Sequence, residues 1–144
     1  MTKQSRIGVR AALASLLVLA CLASAPAWGQ DVRTLPTKVA DILALFPAAS
    51  GQDRDKLADQ ALALGEPGVA EVTRRLVPMG TGDDTAVRYA VNAMAVYASR
   101  AGNEPKRALA ERALLSALAS ASDTEVKTFL LSQLRIVGRD PSVK

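Results

Sequence analysis

The sequence predicts an all-α chain of stacked antiparallel helical hairpins, about six helices following an N-terminal leader. Three observations predict it. The composition is 49% hydrophobic but only 3% aromatic, and the apolar residues are mostly Ala, Leu and Val, which suits closely packed helices better than sheets. Gly65-Glu66-Pro67, Gly102-Asn103-Glu104-Pro105 and Gly138-Arg139-Asp140-Pro141 each join a glycine to an acid–proline step. The glycine is suited to ending one helix and the proline to starting the next. The acids stand at 66, 104 and 140, intervals of 38 and 36 residues. A near-constant interval of that size between helical segments marks a helical repeat.

The leader comes first. Residues 1–10 carry Lys3, Arg6 and Arg10 and no acid, and Ala11 to Leu22 is an unbroken run of apolar and small residues. That run is long enough for a signal-peptide core and short for a membrane span. Ala27-Trp28-Gly29 places small side chains at the −3 and −1 positions of a cut that leaves Gln30 or Asp31 first. Residues 1–29 are therefore read as a signal peptide, 30–35 as a short lead-in and 36–144 as the helical-repeat domain. Val18-Leu19-Ala20-Cys21 also resembles a bacterial lipobox, in which Cys21 would be lipidated and become the mature N-terminus, and that alternative stays open. Either way the protein is expected to be exported, to the periplasm or beyond the cell, free or lipid-anchored.

Charge and composition limit what the mature chain can do. Setting aside the three leader cations leaves 15 basic against 14 acidic residues, a net of +1. Nucleic-acid binding needs a strong basic stripe, so that reading falls. With no histidine and one cysteine, the chain lacks the residues of a Ser-His-Asp or Cys-His arrangement and of an imidazole metal site. No enzyme activity, cofactor or metal is expected.

The helices follow in order. Thr34 and Thr37 flank Pro36, and Val39, Ile42, Leu43 and Phe46 recur at helical spacing up to Pro47. Ser50 to Asp53 makes a turn, and a second helix runs to Leu64 with Leu57, Ala61 and Leu64 inward. Gly65 closes it in the left-handed conformation. Pro67 opens a helix with Val69, Val72 and Leu76 inward and Pro78 at its end. After Met79-Gly80-Thr81-Gly82, Asp83 or Asp84 caps a helix carrying Val87, Ala90, Val91 and Met94 toward Ser99. Asn103 is suited to cap the fifth, where Leu109, Ala113, Leu114 and Leu118 share a side. Ser122-Asp123-Thr124-Glu125 fits a capping box before a sixth, with Val126, Phe129, Leu130, Leu134 and Val137 on one face and Leu131 and Ile136 off it. Asp140-Pro141-Ser142-Val143 repeats the pattern of Glu66-Pro67-Gly68-Val69. A further unit is therefore expected to begin at 139–144, making the chain the start of a longer protein.

These residues resemble the HEAT-repeat family, whose units are two antiparallel helices with a turn often reading Asp-x-x-Val-Arg or Lys. Here the motif stands as Asp84-Thr85-Ala86-Val87-Arg88 and Asp123-Thr124-Glu125-Val126-Lys127, with the valines 39 residues apart. The resemblance covers about residues 36–138 and implies a right-handed α-solenoid with units at about 36–65, 66–102 and 103–138. The first unit departs from the motif, with Leu57 in the valine's place, Ala58 in the basic residue's and Arg54 in the acid's.

Asp84–Arg88 and Asp123–Lys127 are expected as i,i+4 ion pairs worth about 0.2–0.5 kcal/mol each, serving helix ends and the register between units. The resemblance implies a second use, in which Arg88, Asn92 and Lys127 line the inner surface formed by the second helices and meet an acidic partner. Asp53, Asp55 and Asp59 lack the spacing of a calcium loop, because Leu57 stands where a ligand should. Gly80-Thr81-Gly82-Asp83-Asp84 lacks the lysine of a phosphate loop and reads as a turn. The expected function is an exported, non-catalytic interaction scaffold or spacer in a bacterial envelope, with a protein as partner. The alternatives are the accessory region of a longer secreted enzyme and a lipoprotein scaffold tethered through Cys21.

Overall fold

The computed structural model describes residues 32–138. The leader, Cys21 and the start of a further unit at 139–144 lie outside the described residues. Within them the secondary structure is entirely α-helical, with six helices and no strand. They are α1 (Leu35–Leu43), α2 (Gly51–Ala63), α3 (Gly65–Thr73), α4 (Thr85–Ala98), α5 (Glu104–Ser120) and α6 (Thr124–Val137), and all lie in one compact unit that begins at Arg33.

Local chemistry sets most of the boundaries. Thr34 caps α1 by accepting a hydrogen bond from Thr37 N at 3.4 Å, and Pro36 occupies the first turn, where no intrahelical donor is missed. Ser50 caps α2, its hydroxyl accepting from Asp53 N at 3.1 Å. Gly65 (φ +72°) and Gly102 (φ +86°) take the left-handed conformation expected of them between α2 and α3 and between α4 and α5. Gly138 ends α6 as expected, at φ −75°.

Several boundaries differ from the sequence reading, beginning with α1, which stops at Leu43 rather than at Pro47, with Leu45 N and Phe46 N bonding to Ile42 O and Leu43 O. The α3 helix stops at Thr73 rather than at Pro78, with Arg75 N and Leu76 N bonding to Val72 O and Thr73 O in a tightened turn. A proline at 78 disfavours helical backbone at Val77, and Asp84 Oδ2 accepts the Val77 N–H at 3.1 Å in place of a helix carbonyl. At α6 the cap is Asp123 rather than Ser122, its Oδ1 accepting from Glu125 N at 2.8 Å and Val126 N at 3.0 Å. Asn103 stands at the start of α5, but its amide turns back to donate to Tyr97 O at 2.8 Å.

The helices pack in two rows. In one, α1 lies against α3 and α3 against α5. In the other, α2 lies against α4 and α4 against α6. The rows are joined within the pairs α1–α2, α3–α4 and α5–α6 and by α2 on α3 and α4 on α5. Between the rows lies one apolar core. Val39, Val69, Val72, Val91, Met94, Leu114, Leu130 and Val137 are its largest fully buried side chains, with Ala58, Ala61, Ala90, Ala95, Ala98 and Ala110 among them. Alanine at so many contact positions lets helix axes approach closely.

Candidate functional site

The densest polar arrangement lies where α4 crosses α6. Arg88 rises from the first turn of α4. Its Nε donates to both oxygens of Asp84 at 2.9 Å, one turn earlier, as expected of that pair. Its two terminal nitrogens donate to Glu125 Oε1 and Oε2 at 2.8 and 2.9 Å, a two-pronged contact across to α6. Nη2 also donates to Val77 O at 3.0 Å. Asp84 and Arg88 thus hold both backbone polar groups of Val77 and clamp the segment between α3 and α4. The guanidinium carbon lies 4.8 Å from the centre of the Phe129 ring, within the range of a cation–π contact. The Asp84 carboxylate, and after it that of Glu125, raise the Arg88 pKa above its ordinary value.

One turn along, Asn92 Nδ2 donates to Gln133 Oε1 at 3.0 Å. Gln133 is only 5% exposed, and its own Nε2 donates to Ser132 Oγ at 2.9 Å. Lys127 makes no ion pair with Asp123, whose Oδ1 is taken by the two amides of the α6 cap. The expected pair is absent.

The three residues expected to share a partner-facing surface are therefore divided. Arg88 and Asn92 come together with Glu125, Phe129 and Gln133 in the α4–α6 seam, whereas Lys127 lies outside that network. Glu125 and Gln133 escaped the sequence reading. Their one signal is spacing, 37 and 41 residues from Arg88 and Asn92, close to the repeat interval.

Similar joints recur along the rows, and one crosses between them from α2 to α5. Arg100 donates to Asp55 Oδ2 at 2.6 Å, 45 residues away, and that contact holds the Asp55 carboxyl below its usual range and raises the Arg100 pKa. Lys106 pairs with Asp59, 47 residues away, which raises the Lys106 pKa. Arg112 Nε donates to Glu66 Oε1 at 2.7 Å, 46 residues away, and Arg75 to Pro36 O at 3.1 Å, 39 away. Each joint spans 37–47 positions. These pairings also account for Asp55 and Asp59, while Asp53 Oδ2 accepts from Ser50 Oγ at 2.7 Å.

A cleft of about 400 Å³ opens between α3, α5 and the start of α6, with Ala70, Leu76, Ala117 and Leu130 among its apolar walls and Ser116 and Ser120 at its side. Ser120 Oγ donates to the Ser116 carbonyl at 3.0 Å. Among the described residues no group of three or more Cys, Asp or Glu is placed to hold a metal ion. None of their buried side-chain polar atoms lacks a hydrogen-bond partner. The arrangement can hold helices in register and can receive an apolar group. In comparisons with known proteins, no family model matches the chain, and no curated protein and no solved structure matches it.

Proposed function

We propose that the chain is an exported, non-catalytic helical-repeat module of the HEAT type, acting as a protein-interaction scaffold or spacer in a bacterial envelope. The units of this right-handed solenoid are residues 36–65, 66–102 and 103–138. The observation that carries the reading is the set of polar joints between neighbouring units in which residues 37–46 apart meet, combined with the packing of each helix on the second one after it in sequence. In a solenoid each unit contacts its neighbours, so contacts at one repeat length are the pattern expected. On this reading Arg88 and Asn92 set the register between the second and third units, and Lys127 is the member of the trio left to face a partner.

The experiment has two arms. Mass spectrometry of the mature protein from envelope fractions is expected to show an N-terminus at Gln30 or Asp31. An acylated Cys21 would make it a tethered scaffold, and retention of Met1 in the cytoplasm would overturn export. A photo-crosslinking residue placed in turn at exposed positions of α2, α4 and α6 is expected to capture the same protein from adjacent helices. Failure to capture any protein from every position would overturn the scaffold reading.

A further inference from the structure

We infer that the cleft between α3, α5 and the start of α6 binds a single-chain fatty carboxylate, its carboxylate held at Arg74 and its chain laid inward toward Leu130. Two observations carry it. The first is the depth of the cleft. Its floor is Val126 and Leu130, which are 7% and 1% exposed and belong to the apolar core. Its walls include Ala70 on α3, Leu76 just after it and Ala117 on α5. A volume of about 400 Å³ is on the scale of small-molecule sites, which are concave and mostly apolar, with a few polar groups that fix orientation. The cleft opens between α3 and α5, which pack on each other, so helices following α6 in the chain would stack beyond it rather than fill it.

The second is the charge at the mouth. Glu71, a buried carboxylate, accepts from both Arg74 and Arg75, so the trio carries one positive charge in excess. Arg75 spends a further donor on the Pro36 carbonyl at 3.1 Å. Arg74 is 72% accessible and is the one cation among the described lining residues. Its Nη2 donates to Glu71, which leaves its other N–H groups for a ligand, and a guanidinium fork suits a carboxylate. Thr73 and Ser120 commit their hydroxyl hydrogens to the carbonyls of Ala70 and Ser116, so neither competes with Arg74 for an anionic head. The acid of the lining, Asp123, accepts the Glu125 and Val126 amides at the start of α6. Its charge disfavours a second carboxylate on that side, which sets the ligand's head at Arg74 and its chain toward Val126 and Leu130.

The probe is dodecanoate, titrated below its micelle concentration into the mature protein while amide nitrogen–proton correlation spectra are recorded. Saturable shifts are expected at Ala70, Ala117, Ser120 and Val126. Arg74→Glu should weaken dodecanoate by about fivefold or more and leave dodecanol within about twofold of wild type. Dodecylammonium should bind Arg74→Glu more tightly than wild type, a reversal that misfolding of the variant cannot mimic. Ala117→Leu, which fills the cleft, should lose all three probes, with far-ultraviolet circular dichroism confirming that the variant is folded. No saturable binding by wild type, shifts confined to other parts of the protein, or dodecanoate binding unchanged by Arg74→Glu overturns the site. So does binding to phosphatidylglycerol vesicles without binding of monomeric dodecanoate, which would place the contact on a membrane surface. The scaffold reading stands or falls separately, on the crosslinking from α2, α4 and α6.

Discussion

Arg88→Ala is the substitution with the most to reveal, because one side chain serves four partners. The Asp84 contact is the least exposed, with side chains 22% and 11% accessible, and charge-assisted hydrogen bonds of that kind are worth about 1.5–3 kcal/mol. Glu125 is 36% accessible, so solvent screening limits its share to about 1 kcal/mol or less. The Val77 carbonyl adds about 1 kcal/mol and the Phe129 ring about 0.5–1 kcal/mol. Water reaching the abandoned carboxylates returns part of this. A net loss of about 3 kcal/mol is expected, roughly 10–20 °C in melting temperature for a domain of this size. Urea unfolding followed by circular dichroism at 222 nm measures it. Arg112→Ala is the control, since that side chain is 61% accessible and its partner Glu66 48%, and it should cost under about 1 kcal/mol. An Arg88→Ala loss within about 0.5 kcal/mol of wild type, or no larger than that of Arg112→Ala, would refute the reasoning.

Other perturbations have defined outcomes. Leu130→Ala, at a side chain 1% exposed, should cost about 2–5 kcal/mol in the same unfolding measurement. Gly68→Ala places a Cβ 2.2 Å from the Leu64 Cβ, and overpacking of that kind should cost about 1–3 kcal/mol, whereas helix propensity alone would make it stabilising. Stability should be flat between about pH 5 and 9, because the chain has no histidine and ordinary carboxylates and lysines titrate outside that window. On acidification it should fall. The carboxyls of Asp55, Asp83 and Glu104 are held below their ordinary values of 3.8, 3.8 and 4.5 by Arg100, by Thr85 and by the backbone N–H groups of Glu104 and Gly102. Their contribution is therefore complete above those values and is lost as the pH drops through the lower folded ones. Melting temperatures from pH 2 to 9 test this, and a transition near pH 6–7 would contradict it.

What could be read from the sequence was what depends on neighbours in the chain. Gly65 and Gly102 announced themselves because a helix end needs a left-handed residue, and the buried faces of α4 and α6 followed from apolar spacing. The Asp84–Arg88 pair was legible because four residues make one helical turn. The Glu125 and Gln133 contacts were not, since they depend on how α6 lies against α4, a register that no local pattern encodes. Local competition explains the other differences. Two candidate caps stood at Ser122 and Asp123, and the acid took both amides. At the end of α3, the carboxylate of Asp84, eleven residues beyond Thr73, took a backbone donor that a continuing helix would have used. Arg88, read from its charge motif as partner-facing, also contacts Glu125 of α6, and only the packing of α4 on α6 reveals that contact.

The account rests on residues about one unit apart meeting side by side, and nuclear Overhauser contacts in solution test that most directly. Cross-peaks are expected between the Arg88 side chain and the Phe129 ring, and between the Asn92 amide and the Gln133 side chain, at the 4.8 Å and 3.0 Å separations of the structure. Their presence would place α4 and α6 in the register described. Their absence, with the six helices of the described residues otherwise intact, would contradict the stacked arrangement and the function built on it.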